Sequence, residues 1–147
     1  LFSEFMQKLM NGWKGDCPCC GRHSQVYRRT IHTDLAVQLI RMYRLGARGG
    51  EFIHASKLIP EGQAGSGDLG KARYFGIVEQ MPHVPGKKKK SGYWSLTPDG
   101  SAFVRGEIMI DEYAMVFDDR VIKTGGRKVS IQQCLGNGFS YTELMAA

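Results

Sequence analysis

The chain has 147 residues, 42% of them hydrophobic and 23% charged, and no run approaches the roughly 18 apolar residues that a membrane span needs. Four cysteines are too few for a disulfide scaffold, and three of them cluster at Cys17, Cys19 and Cys20, which points to a reduced, cytoplasmic protein. The net charge of +6 is uneven: Lys and Arg outnumber Asp and Glu by eight to three in residues 1–50, by seven to five in 51–100, and fall to five against six in 101–147. A basic surplus in the first two-thirds points to a polyanion such as nucleic acid.

Leu1 opens the sequence, and the first residues lack the charged, apolar, then small pattern of a secretory signal. Leu1, Phe2, Phe5, Met6, Leu9, Met10 and Trp13 recur every three or four residues, which predicts an amphipathic helix over 1–13. Its apolar face is either core or the seam of a homodimer. Residues 16–23, DCPCCGRH, predict a tight turn, and 25–31 a short strand. A helix over about 34–45 follows, with Thr33 as N-cap and Gly46 as the stop. Arg41, Arg44 and Arg48 lie toward its C-terminal end, where cations suit the helix dipole.

EFIH (51–54) is extended, and Ala55 to Ile59 supplies one or two helical turns ended by Pro60. EGQAGSG (61–67) is a connection, and Asp68 to Val78 predicts a helix capped by Ser66 or Gly67. Strands at 77–82 and 93–97 then flank a lysine-rich turn, Pro98-Asp99-Gly100 turns again, and Ser101 begins another helix. The tail, 108–147, predicts a β-hairpin of Tyr113–Phe117 and Val121–Lys123 around Asp118-Asp119, a short helix at 130–135 and a last turn at 140–146.

The string KARYFGIVEQ, a basic loop, and SGYWSLTPDGSAFVRGE resemble the second half of a winged helix-turn-helix of MarR type. The matching phrases are Phe75-Gly76-Ile77-Val78-Glu79, at the end of a recognition helix, and Leu96-Thr97-Pro98-Asp99-Gly100, after the wing. The resemblance spans about residues 51–107, and the helix at 34–45 would serve as the first helix of the fold. It implies an α+β chain of three parts: an N-terminal helix and CPCC turn (1–32), the winged helix-turn-helix (33–107), and a C-terminal hairpin module (108–147).

It further implies double-stranded DNA as the partner. Ser66, Lys71 and Arg73 would lie on a recognition helix in the major groove, and Lys87, Lys88, Lys89 and Lys90 on the phosphate backbone. Asp68, near the start of that helix, would repel phosphate. A second resemblance, carried by Cys17-Pro18-Cys19-Cys20, Val26-Tyr27-Arg28-Arg29 and Tyr93-Trp94, is to small bacteriophage and prophage proteins. It implies a phage-encoded regulator. The rival reading is a protein-interaction factor, an inhibitor or adaptor, that docks on a host complex such as RNA polymerase or a defence system, because fold does not fix function.

Cys17 and Cys20 have the spacing of half a zinc site, with His32 as the finger-like third ligand. Cys134 and the other histidines are weaker candidates, and no second CxxC exists. The plain alternative is a reduced turn whose cysteines serve as small apolar residues. No GxSxG, Walker, HExxH or GxGxxG pattern occurs, so the sequence does not predict an enzyme.

Overall fold

A computed structural model describes residues 2–16, 21–59, 69–88 and 92–146, and of the side chains in the first helix it leaves out Phe2, Ser3 and Met6. The fold is mixed α+β, with six α-helices and three small sheets among the described residues.

The first helix, α1, runs Phe2–Met10, shorter than its apolar stripe predicts. Leu9 is buried and Trp13 lies beyond the helix, exposed, with its ring edge-on to Phe5. Strands β1 (Gly15–Asp16) and β2 (His23–Ser24) pair antiparallel, and residues 17–20 of the predicted turn lie outside the described residues. Strand β3 is Tyr27–Arg29.

Helix α2 (Thr33–Arg44) is the centre of the molecule. Leu35 through Ile40 and Met42 are all buried, and a helix buried nearly all round needs partners on every side. They are α3 (Leu69–Ala72), β6 (Tyr93–Leu96), α4 (Pro98–Val104), α5 (Ile131–Leu135) and α6 (Tyr141–Ala146). The predicted N-cap moves by one residue: the imidazole Nδ1 of His32 accepts from the Leu35 N–H at 3.4 Å. The Thr33 hydroxyl donates instead to the Leu135 carbonyl at 3.3 Å, tying α2 to α5. The far end closes as predicted on Gly46, at φ 78°. Its N–H reaches the Tyr43 carbonyl and the Ala47 N–H the Met42 carbonyl, the pair of bonds that satisfies a helix end.

After α2 the chain forms β4 (Ile53–His54), a 3₁₀ turn (Ala55–Leu58), α3, a second 3₁₀ turn (Arg73–Phe75), β5 (Val78–Gln80), β6 and α4. The strands pair in the order β4-β6-β5, all antiparallel. The helix predicted to reach Val78 stops earlier. Gly76 adopts φ 72° and its N–H closes on the Arg73 carbonyl, so Val78 already belongs to a strand.

Helix α4 begins three residues before its predicted start. Thr97 caps it, its Oγ1 accepting from the Gly100 N–H at 3.0 Å while its hydroxyl donates to the Gly76 carbonyl at 2.7 Å. Pro98 fills the first helical position, where its missing N–H costs nothing.

The third sheet has the order β3-β7-β8, from β7 (Ile110–Phe117) and β8 (Arg120–Val129). It joins the N-terminal segment to the C-terminal hairpin. Asp118 and Asp119, the predicted turn, stand at φ 50° and 61° between the paired Phe117 and Arg120. Positive φ at both central residues is what a two-residue hairpin loop requires, and Asp accepts it better than most residues. The hairpin outruns its prediction because β8 absorbs two bulges. At one of them Gly126 takes φ 83° beside Glu112. Ser130 then caps α5 with a reciprocal bond from Gln133, close to the predicted boundary.

One core cluster draws on Ile31, α2, α3, β5, β6, α4, Ile110 and α5, with α6 packed on its edge. No helix among the described residues is long and apolar enough to cross a membrane.

Candidate nucleic-acid interface

The β5–β6 connection is a built turn. Val84-Pro85-Gly86-Lys87 closes with the Lys87 N–H on the Val84 carbonyl at 3.1 Å, Gly86 at φ 83°, the pattern of Pro then Gly in a turn that needs a left-handed third residue. The His83 Nε2 lies 3.1 Å from the Lys87 carbonyl oxygen and donates to it in the matching tautomer. Lys87 and Lys88 are exposed at this tip; Lys89 and Lys90 lie outside the described residues.

The base of the loop is held from below. The Ala55 N–H donates to the Gly92 carbonyl at 2.9 Å, and the His54 ring stands edge-on to Tyr93, 5.1 Å between centroids. Gly92 is at φ 81°, and a Cβ there would meet His54 Nε2 at 2.8 Å, so the position takes glycine on both counts. Trp94, Ser95 and Leu96 are then buried in succession and fix the returning strand.

Of the predicted recognition-helix residues, Ser66 and Asp68 lie outside the described residues. Lys71 is half-buried on α3. Arg73 is exposed but engaged: its guanidinium pairs with the Asp119 carboxylate, and its Nε donates to the Gly70 carbonyl at 3.1 Å. The Tyr74 hydroxyl donates to the same Asp119 oxygen at 2.6 Å. The Tyr74 and Arg73 donors hold the Asp119 carboxyl below its ordinary range. The C-terminal hairpin thus reaches the element that sequence reasoning assigned to DNA, through a contact 46 residues apart that no local pattern encodes.

The arginines near the end of α2 do more than suit its dipole. Arg41 donates to the Leu58 carbonyl at 2.7 Å, and Arg44 to the Leu144 carbonyl at 3.2 Å. Arg48 lies over the Tyr43 ring, 4.0 Å from its centroid, with Arg105 on the same ring at 5.9 Å. Those two cations, Arg105 foremost, pull the Tyr43 hydroxyl below its usual value.

Of the predicted metal ligands, Cys17 and Cys20 lie outside the described residues, and His32 commits its Nδ1 to the α2 cap. Burial pushes the Cys134 thiol up to about 11, which disfavours the thiolate that a metal needs. No group of three or more metal-ligating side chains comes together among the described residues.

Charge counting missed the third sheet. The last third of the sequence is acidic on balance, yet Arg120, Lys123, Arg127 and Lys128 are all exposed on β8, and β3 adds Arg28 and Arg29 across β7. Two acids of β7 are engaged. Asp111 pairs with Lys128 at 2.7 Å and accepts from Thr124, and Glu112 accepts from the Arg127 N–H at 3.2 Å.

Family models, curated proteins and solved structures give no match to this chain.

Proposed function

We propose that the protein is a phage-encoded DNA-binding regulator of the winged-helix type, with α3 and the following 3₁₀ turn in the major groove and the lysine loop on the backbone. The observation that carries this reading is connectivity. A first helix (α2), a strand (β4), a helical turn, a second helix (α3), and a hairpin of β5 and β6 follow one another, and the strands pair β4-β6-β5. Its lysine loop joins two strands whose base is locked by Gly92, His54 and Trp94. The sequence of this connection, 81–92, contains no Asp or Glu beside its lysines, which suits a polyanion.

One observation favours the rival reading, a factor that docks on a host protein complex: Arg73 is spent on Asp119 rather than displayed. Duplex binding separates the two. Each lysine on a phosphate adds about −0.9 to the slope of log K against log salt. Alanine at all four of Lys87, Lys88, Lys89 and Lys90 therefore weakens duplex binding and flattens that slope by about two to four. An unchanged slope removes the lysine loop from the interface. Failure of the wild-type protein to bind any duplex at low salt leaves the docking factor as the better reading.

A further inference from the structure

Along β7, residues alternate between two faces of the sheet. Ala114 and Val116 are buried, which places one face inward. Tyr113, Met115 and Phe117 belong to the other face and are half-exposed. Residues paired directly across strands share a face. Met115 pairs with Arg28 of β3 on one side and with Lys123 of β8 on the other, and Phe117 pairs with Arg120. All three cations are exposed. The open face is therefore a row of two aromatic rings and a thioether, with cations on both flanks.

Tyr113 is laid flat by its partner. It pairs with Gly125, where a Cβ would meet the phenol oxygen at 2.9 Å and ring carbons at 3.2–3.3 Å. The absent side chain lets the ring lie over the β8 backbone, and the Arg28 guanidinium caps it at 4.4 Å. The ring is thus covered on both faces, and the exposed guanidinium held flat above it offers the stacking surface that an unpaired base uses. A duplex hides its base faces, so this geometry selects single strands.

We propose that the outer face of the β3-β7-β8 sheet binds single-stranded nucleic acid, bases stacking on Phe117 and on the Arg28 guanidinium that Tyr113 supports, and phosphates meeting Lys123 and Arg120. The site is separate from the lysine loop and does not depend on the duplex-binding reading.

The test uses the full chain and fluorescence anisotropy with labelled oligothymidylate and oligouridylate of about twelve nucleotides, at about 50 mM salt. The two probes distinguish DNA from RNA as the source. Wild-type protein binds at least one of them. The double variant Arg28→Ala/Lys123→Ala binds about tenfold more weakly, with unchanged melting temperature, since both side chains are exposed. Tyr113→Leu weakens binding about fivefold or more, because the Arg28 guanidinium loses the ring that holds it flat. Should that variant fail to fold, the double variant decides. Alanine at the four loop lysines changes oligonucleotide binding less than about twofold while it weakens duplex binding. Binding of neither probe overturns the proposal, as does a double variant that binds like wild type. Displacement of the oligonucleotide by polyglutamate as readily as by unlabelled oligonucleotide, with no effect of Tyr113→Leu, also overturns it, in favour of an acidic protein surface. Failure of the wild-type protein to bind duplex at low salt, with oligonucleotide binding intact, counts against the winged-helix reading and leaves this one standing.

Discussion

The middle strand of the β4-β6-β5 sheet buries Trp94, Ser95 and Leu96 in a row, whereas the middle strand of the β3-β7-β8 sheet buries alternate residues. Both sheets are antiparallel and three-stranded, so strand pairing does not separate them. Covering does. Helices α2 and α4 pack on β6, while β8 is exposed along nearly its whole length. A strand covered on both sides cannot present chemistry, but it can hold a loop still, and β6 holds the lysine loop. A strand covered on one side keeps a face for solvent or a partner.

The comparison breaks most sharply in the core. Phe103 on α4 is completely buried in the main cluster, so Phe103→Ala removes a ring that its neighbours cannot replace. The expected cost is about 3–5 kcal/mol. Met115→Ala, on the half-exposed face of β7, removes a side chain that water already reaches and costs about 1 kcal/mol or less. Urea unfolding of the two variants measures the difference. Equal losses would mean that the outer face of β7 is packed as tightly as the helical core.

Gly100 tests the same helix through a smaller change. Within α4, a Cβ at this position would lie 1.9 Å from the Ile77 carbonyl oxygen, just before β5. Backbone cannot swing aside as a side chain does, so Gly100→Ala forces α4 off the strand at a cost of about 1–3 kcal/mol. In an unconstrained helix the same change would stabilise by up to about 1 kcal/mol. The sign of the effect in thermal unfolding is therefore decisive.

Legibility in the sequence followed the range of the interaction. Gly46, Asp118-Asp119 and the α5 boundary were readable because a helix end, a two-residue hairpin and a capping box are fixed by adjacent residues. The α4 start was misplaced because Gly100 looked like a turn residue. Its reason for being glycine is the Ile77 carbonyl 23 positions earlier. The length of β8 was underestimated because only pairing with β7 carries the strand through Gly125-Gly126 as a bulge. Of the candidate interface, the exposed lysines were legible as an unburiable run. The Arg73–Asp119 pair and the Arg28–Tyr113 stack were not, because each joins segments far apart in sequence that meet only once the β3-β7-β8 sheet has formed.

Asp119 links the two regions and gives the smallest effect. Its carboxyl is held low by Tyr74 and Arg73, so the charged form is favoured on folding. A depressed folded pKa contributes stability that is present above the unfolded value, near 3.8, and is lost as pH falls through the folded one. The pair is exposed, so its worth is about 0.2–1 kcal/mol at neutral pH and less in high salt. Asp119→Asn keeps a carbonyl acceptor and suits the left-handed backbone at this position, leaving loss of charge as the main change. The variant is therefore slightly less stable than wild type at neutral pH, and the gap closes as the medium is acidified below the ordinary Asp range. A gap that stays constant with pH would mean that charge is not what Asp119 supplies. The same variant loosens Arg73 from the hairpin. If Arg73 meets DNA, duplex affinity rises as stability falls; if Arg73 is purely a strut between the regions, stability falls alone.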